Sequence, residues 1–127
     1  DNIFIDVSLC PLDSDTERQI RRALHAIELQ GRTPEIRGVH LVVGLSNLGV
    51  LLPRTALDGS RLNLKIECSF LTLAMPLGLD TVLGTAGREY QLLPPDDFVF
   101  CGFQEAIEIE GFDALMRVQQ LYRKEDE

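Results

Sequence analysis

The feature of this sequence that most constrains the fold is a short apolar run that ends in a glycine and two small polar residues. Residues 39–43 are mostly β-branched or aliphatic, which is typical of a strand buried on both faces of a parallel sheet. Gly44 follows this run, and Ser46 and Asn47 come just past the predicted end of the strand. Because ligands of α/β proteins bind at the carboxyl ends of the strands, we predict that Ser46 and Asn47 contact a ligand.

Two further short stretches have the composition of strands. Residues 2–7 are rich in β-branched and aromatic side chains, and their one charge, Asp6, falls near the end of the stretch. Residues 79–83 form the third predicted strand, which the glycine-containing segment 84–87 closes. A carboxylate at the end of a strand either anchors a loop or contacts a ligand, and both interpretations of Asp6 stay open. Segment 84–87 could cradle a phosphate, but neither G-K-S/T nor a complete G-x-G-x-x-G accompanies it.

Amphipathic segments between and after these strands predict four helices. Residues 14–17 have the S-x-x-E form of a capping box, which predicts the start of the first helix, and Gly31 predicts its end. The second helix is predicted between Ser60 and Gly78, and two more are predicted from about residue 96 to 109 and from about 112 to 122. The apolar stripe of the second helix has helical spacing and consists of Ile66, Phe70, Leu73, Ala74 and Leu77.

Three strands, each followed by a helix, predict an α/β fold of consecutive right-handed βα units. These units cover about residues 1–93 of one domain, residues 1–127, and the last two helices cover about 95–124. Three strands leave two open sheet edges. We therefore expect that another chain or segment completes the sheet, as in a homodimer, or that the chain is part of a larger (β/α) barrel.

The composition disfavours several classes of protein. A net charge of −8 over 127 residues disfavours nucleic-acid binding, which depends on Lys and Arg side chains that neutralise phosphates. No apolar run approaches the roughly 20 residues of a membrane-spanning helix, and no signal peptide is visible, so we expect a cytoplasmic protein without a membrane partner. Because the sequence does not begin with Met, we expect an excised piece rather than a complete gene product. The three cysteines are Cys10, Cys68 and Cys101. None of them belongs to a C-x-x-C motif, so we expect reduced thiols rather than metal ligands.

Four features allow two interpretations each. The first predicted helix carries a basic cluster: Arg18, Arg21 and Arg22. This cluster is either a phosphate site or, as the pattern favours, the solvated face of a surface helix. We interpret His25 as a rim residue and His40 as a packed strand residue, in preference to a ligand or a catalytic base. The partly apolar loop at residues 48–55 either covers a substrate or binds a partner.

The order and spacing of three segments resemble one protein family. The segments are Ile5-Asp6, then Gly44-Leu45-Ser46-Asn47, then the run from Phe70 to Asp80. The G-L/V-S-N loop and the F-L-x-x-A-x-x-x-G-L/M-D segment, about 30 residues apart, are the specific part. They are similar to the C-terminal part of the pterin-binding barrel of methyltetrahydrofolate methyltransferases. This family includes corrinoid/iron–sulfur protein methyltransferases and the folate domain of cobalamin-dependent methionine synthase.

The resemblance, which runs from about residue 2 to 87, implies strands six to eight of a TIM (β/α)8 barrel of the dihydropteroate-synthase-like type. It implies that Asp6 binds the amino and N–H groups of the pterin ring, and that Asn47 is catalytic and hydrogen-bonds near N5 of the folate. Ser46 and Thr85 are implied as further substrate-binding residues. Protonation near N5 improves the leaving group, and the methyl group of methyltetrahydrofolate passes to Co(I) of a corrinoid, or cobalamin, held by a partner protein.

The residue types suit this chemistry. An Asp is a bidentate acceptor for the donor edge of a pterin, and an Asn can donate or accept as charge develops without carrying charge itself. Some positions depart from the family pattern: Val50 where a polar residue is frequent, Glu67 and Cys68 within the I-N-R-T segment, and Thr85 for Asn. The pterin-binding Asp and Asn of the first half of the barrel are absent here. We therefore expect an active full-length enzyme and an inactive 127-residue segment.

Two other functions stay open. The chain could be a non-catalytic partial barrel that acts as a subunit or as a docking surface for a corrinoid protein, with the loop at residues 48–53 as the contact. A dihydropteroate synthase-like pterin enzyme is the other alternative. It is disfavoured because the Arg-x-His expected after the last strand is absent from Gly84-Thr85-Ala86.

Overall fold

The structure is a computed structural model that describes residues 3–6, 9–32, 39–79, 81–83 and 89–122. Strands and helices alternate along the first two thirds of the chain, and two helices follow. In chain order they are β1 (Ile3–Asp6), α1 (Gln19–Arg32), β2 (Val39–Gly44), α2 (Leu62–Ala74), β3 (Thr81–Leu83), α3 (Phe98–Ala106) and α4 (Phe112–Gln119). Single 3₁₀ turns occupy Leu12–Ser14, Leu45–Asn47 and Met75–Leu77.

The strands form one parallel sheet in which the order across the sheet is the order along the chain, β1-β2-β3. In register, Asp6 pairs with Val42, and Gly44 pairs with Leu83. The three predicted strands are confirmed, with ends that differ by one or two residues. Parallel neighbours need a crossover connection, and α1 and α2 lie in the two crossovers. In the described part of the chain the sheet has three strands and is open.

The two faces of β2 differ in burial. The side chain of Val43 is fully buried and belongs to the main hydrophobic core, whereas Val42 is only partly buried. Successive strand residues alternate between faces, so Gly44 lies on the Val42 face. Residues paired in register occupy the same face, which places the position of Asp6 on the Val42 face as well. Judged from the strand side chains whose burial the structure describes, the Val43 face carries the core and the Val42 face is the less covered one.

The start of α1 differs from the predicted capping box. Ser14 lies in the preceding 3₁₀ turn, and its hydroxyl donates to the carbonyl of Pro11 at 3.1 Å. The buried carboxylate of Asp15 instead accepts hydrogen bonds from the backbone N–H groups of Gln19 (2.8 Å) and Ile20 (3.1 Å). A carboxylate at the start of a helix satisfies orphan N–H groups and complements the helix dipole. The predicted start of α1 is correct within a few residues, but the predicted capping side chain, Ser14, is wrong.

Helix α2 is the most buried helix of the described chain. Three residues of its predicted apolar stripe, Ile66, Phe70 and Ala74, are fully buried. The other two, Leu73 and Leu77, are half-buried. Its buried residues nevertheless lie on more than that stripe: Leu62, Ile66, Glu67, Cys68, Ser69, Phe70, Leu71 and Ala74. This burial follows from its place in the fold, because α2 packs against both α1 and α3.

The two C-terminal helices are confirmed near their predicted limits. Asp97 caps α3, because its Oδ1 accepts the backbone N–H groups of Val99 and Phe100 at 3.0 and 3.1 Å. The same carboxylate pairs through Oδ2 with the ammonium group of Lys65 on α2. Helix α4 then packs against α3. One side chain, Asp97, therefore fixes the start of α3 and ties it to α2.

Candidate functional site

The candidate site lies at the carboxyl edge of the sheet, where β1 and β2 end side by side. Asp6 is the last residue of β1 and pairs in register with Val42, two residues before the end of β2. The 3₁₀ turn Leu45–Asn47 begins directly after Gly44. The backbone thus brings the position of Asp6 close to the turn that carries Ser46 and Asn47, as the sequence predicts for neighbouring parallel strands.

Two hydrogen bonds join the loop after β1 to the turn after β2. The side-chain Nδ2 of Asn47 donates to the carbonyl oxygen of Leu9 at 3.4 Å. The backbone N–H of Leu12 donates to the carbonyl oxygen of Leu48 at 2.9 Å. The two segments that follow Asp6 and Gly44 are therefore held against each other.

The turn is anchored by apolar side chains on either side of its polar pair. Leu45 and Leu48 are fully buried, whereas Ser46 and Asn47 are exposed. Within the described residues, the hydroxyl of Ser46 neither donates nor accepts a hydrogen bond, and the Oδ1 of Asn47 accepts none. The turn consequently presents an amide and a hydroxyl that can bind a polar ligand without losing a partner in this part of the chain.

The sequence-predicted site residues divide into two groups. The structure brings the backbone of Asp6 together with Ser46 and Asn47 at one edge. Thr85 lies outside the described residues, as does the whole of segment 84–87. The carbonyl of Leu9, which accepts a hydrogen bond from Asn47, is a contact that the sequence does not predict. A backbone acceptor leaves no signal in side-chain identity, so the sequence could not indicate it.

An exposed apolar pair lies next to the polar pair. In the loop at residues 48–53, Leu48 and Leu52 are buried, whereas Val50 and Leu51 are 64% and 66% exposed. The backbone N–H of Leu52 donates to the carbonyl oxygen of Gly49 at 3.1 Å and closes a turn at whose tip the exposed pair lies. Val50 and Leu51 therefore form a small exposed apolar surface beside the polar pair.

The arginine cluster of α1 makes ion pairs at the surface. Arg21 Nε lies 2.9 Å from a carboxylate oxygen of Glu108, and Arg18 Nε lies 3.6 Å from one of Glu110. His25 is exposed, as predicted for a rim residue, and its Nδ1 is 3.9 Å from Glu28. A cavity of about 350 Å³ is lined by the three arginines of the cluster, His25 and Glu108. Because neighbouring carboxylates balance the charge, the cluster supports the solvated-face interpretation over the phosphate site.

Glu67 and Cys68, two of the positions that depart from the family pattern, are buried against the segment that precedes α3. The phenol of Tyr90 donates to Glu67 Oε1 at 2.6 Å, and the backbone N–H of Gln91 lies 3.5 Å from the sulfur of Cys68. The side chain of Glu67 is 1% exposed. These two positions therefore join α2 to residues 90–91 and are structural contacts within the described chain.

The three cysteines are free thiols, with Cys68 buried and Cys10 and Cys101 partly buried. Burial, assisted by the negative charge of Asp15, raises the pKa of Cys10 from 9.0 to about 11. Burial also raises the pKa of Cys68. A raised pKa disfavours the thiolate that metals and electrophiles require. In the described part of the chain no group of three or more His, Cys, Asp or Glu side chains could hold a metal ion.

Helices within the described ranges are too short or too polar to cross a bilayer. The longest is α1, with 14 residues, against the roughly 20 apolar residues that a bilayer demands. A scan against protein-family models and a search of curated proteins find no match to this sequence.

Proposed function

We propose that this chain is part of a folate-dependent methyltransferase that binds methyltetrahydrofolate at the carboxyl edge of its sheet. The observation that supports the proposal is the contact between two strand ends. β1 and β2 are adjacent and parallel, and the side chain of Asn47 donates a hydrogen bond to the loop after β1. Two polar functions that the family uses on one heterocycle, a carboxylate and an amide, belong to neighbouring strand ends. The residues also occur in the family's order along the chain.

In the proposed mechanism, Asn47 acts at N5 of the folate. Its amide is neutral, so it can accept a hydrogen bond from a protonated N5 or donate one to the free amine. Stabilising the protonated form makes the tetrahydrofolate amine a better leaving group, and the methyl group passes to Co(I) of a corrinoid. Asp6, in this proposal, accepts hydrogen bonds from the amino and N–H groups at the far edge of the pterin. The corrinoid belongs to a partner protein and is the methyl acceptor.

The proposed partner surface is the loop at residues 48–53. The corrinoid must approach the methyl group from the open side of the site, and the exposed Val50 and Leu51 lie three to four residues beyond Asn47. Apolar side chains at the centre of a contact contribute most of its affinity. The exposed Val50 and Leu51 also favour the second candidate function, a non-catalytic partial barrel that docks a corrinoid protein. The two candidate functions differ in whether the protein binds folate.

The remainder of the proposed protein is the rest of a (β/α)8 barrel. Three parallel strands in chain order match the arrangement of consecutive barrel strands. The less covered Val42 face would then be the barrel interior, and the buried Val43 face the side on which the helices pack. Further strands would come from the same longer protein or from another chain. We propose a cytoplasmic location for this assembly, because the chemistry requires reduced cobalt.

Calorimetric titration of methyltetrahydrofolate tests the proposal. We expect saturable binding by the full-length protein and none by the 127-residue segment alone, because the segment lacks the first half of the pocket. If the full-length protein binds a corrinoid protein but no folate, the methyltransferase proposal is wrong and the non-catalytic docking function is supported. Condensation of p-aminobenzoate with a pterin diphosphate would instead identify the dihydropteroate synthase-like alternative.

A further inference from the structure

Asp58 is the one Asp or Asn of this sequence that a glycine follows. Such a pair is chemically labile, because the backbone nitrogen of the glycine can attack the side-chain carbon Cγ of the aspartate. The attack expels water and closes a five-membered succinimide ring, and water then reopens the ring to aspartate or to isoaspartate. A glycine speeds the attack, since it has no side chain that shields its nitrogen.

The backbone of the turn requires this glycine. Gly59 has a φ of +87°, in the left-handed region that favours glycine. The turn is closed at its base by an antiparallel bridge between Thr55 and Arg61, and the backbone N–H of Ala56 donates to the carbonyl oxygen of Ser60 at 2.9 Å. A side chain at position 59 would be strained, so the labile pair is part of the cost of this turn.

Hydrogen bonds within the turn act against the reaction. Ser60 donates its backbone N–H (3.0 Å) and its hydroxyl (2.5 Å) to Oδ1 of Asp58, as in an Asx turn. The backbone N–H of Gly59, which holds the attacking nitrogen, donates to the carbonyl oxygen of Ala56 at 3.0 Å. Asp58 and Gly59 are both exposed to solvent, so these bonds, rather than burial, are what restrains the pair.

The bonds from Ser60 also favour the unreactive charge state. Ring closure needs the neutral carboxyl group, whose hydroxyl leaves as water, whereas a carboxylate is a poor electrophile. Hydrogen bonds to the charged form of an acid stabilise that form. The bond from the Ser60 hydroxyl is the largest cause that holds the pKa of Asp58 below its ordinary value of 3.8. Ser60 therefore lowers the population of the reactive acid and fixes the orientation of the carboxylate.

We infer that Asp58 is the site of spontaneous isoaspartate formation in this protein and that Ser60 limits the rate of this modification. The reaction proceeds when the turn opens locally and Ser60 releases Oδ1. Isoaspartate adds one methylene to the backbone, so the pairing of Ala56 with Ser60 just before α2 no longer fits. This inference does not depend on the proposed function.

Incubation of the folded full-length protein at mildly acidic pH, followed by trypsin digestion, tests this inference. Trypsin cleaves after Arg54 and Arg61 and releases residues 55–61, in which chromatography with mass spectrometry separates aspartate from isoaspartate. The reference is a synthetic peptide of residues 55–61, which has no folded turn. We expect slower isomerisation in the protein than in the peptide. Ser60→Ala should accelerate it by about threefold or more in the protein, because one hydrogen bond to a charged group has about this effect.

Matched variants separate the role of the hydroxyl from other effects. Ser60→Thr keeps a hydroxyl, and Ser14→Ala removes an exposed one outside the turn, so both should isomerise at the wild-type rate. Ser60→Ala in the synthetic peptide should change nothing, because the peptide has no such bond to lose. Asp58→Glu should yield no isomerised product, since a glutamate would have to close a six-membered ring. Thermal unfolding of each variant verifies that it stays folded during the incubation.

Each contrary result is specific. Equal rates in the folded wild type and in the peptide would show that the turn gives no protection and would overturn the inference. Equal rates for Ser60→Ala and wild type would overturn it as well, and so would isoaspartate that forms mainly at another residue. If Ser60→Ala unfolds, Ser60→Thr decides: the wild-type rate supports the inference, and the rate of the free peptide in a folded Ser60→Thr protein contradicts it.

Discussion

The side-chain amide of Asn47 donates a hydrogen bond to the backbone carbonyl of Leu9, 38 residues earlier in the chain, at 3.4 Å. This bond crosses from the turn after β2 to the loop after β1, so it joins the two segments that frame the candidate site. It is also long for a hydrogen bond, and Asn47 is exposed. A single weak bond orients the amide while leaving its oxygen available to a ligand.

Replacing Asn47 by Ala should abolish most methyl transfer while leaving the fold intact. The long, exposed bond to Leu9 contributes about 1 kcal/mol or less to stability. Loss of a group that stabilises developing charge lowers turnover by roughly a hundredfold or more. The measurement is single-turnover methyl transfer to a corrinoid protein, with Gln119→Ala, an exposed amide on α4, as the control. Turnover equal to wild type would remove Asn47 from the mechanism.

Asp15→Ala should destabilise the protein by about 1–2 kcal/mol, because two backbone N–H groups of α1 lose their acceptor. Ser14→Ala should cost less than about 0.5 kcal/mol, since its hydroxyl is exposed and bonds only to the carbonyl of Pro11. Urea denaturation of both variants measures the difference. A larger loss for Ser14→Ala would restore the capping box that the sequence predicts.

Asp97 has two roles that substitution can separate. Asp97→Asn keeps an oxygen for the cap of α3 and removes the charge that pairs with the partly exposed Lys65, so we expect a loss of about 1.5–3 kcal/mol. Asp97→Ala removes the cap as well and should cost about 1 kcal/mol more. The exposed neighbour Asp96 is the control, and Asp96→Ala should be nearly neutral in thermal unfolding. Equal losses for the two Asp97 variants would show that the cap contributes nothing.

Cys10 should resist alkylation until strongly alkaline pH. Burial raises the pKa of its thiol from 9.0 to about 11, so the rate of alkylation in the folded protein should reach half its maximum near pH 11. The pKa of this thiol is higher in the folded than in the unfolded protein. Its contribution to the free energy of unfolding is therefore complete below pH 9 and is lost as the pH rises towards 11. Comparing unfolding of wild type and Cys10→Ser over this range isolates the effect. A midpoint near pH 9 in the folded protein would contradict it.

The sequence predicts the strands and helices well because these depend on local periodicity. The run that forms β2 and the glycine that follows the second helical segment, Gly78 with a φ of 119°, are signals that a few neighbouring residues carry. The cap of α1 shows the limit of such signals. Ser14 and Asp15 are adjacent and both are good cap residues, and only the 3₁₀ turn that takes up Ser14 decides between them.

The sequence does not predict the long-range contacts, because the residues that form them are far apart in the chain. Leu93 donates its backbone N–H to the hydroxyl of Thr72, 21 residues away, at 2.9 Å, and Tyr90 reaches Glu67 across 23 residues. Nothing in the spacing of α2 indicates that a second segment covers its polar side. The apolar stripe alone predicts a solvated opposite face, whereas the structure buries Glu67 and Ser69 there.

The central claim is that a folate binds across the joined ends of β1 and β2. Hydrogen–deuterium exchange of the full-length protein, with and without methyltetrahydrofolate, tests it most directly. We predict slower exchange in peptides that cover residues 9–12 and 44–48 and no change in peptides from α4. Protection confined to other parts of the chain, or absent at saturating folate, would contradict the claim.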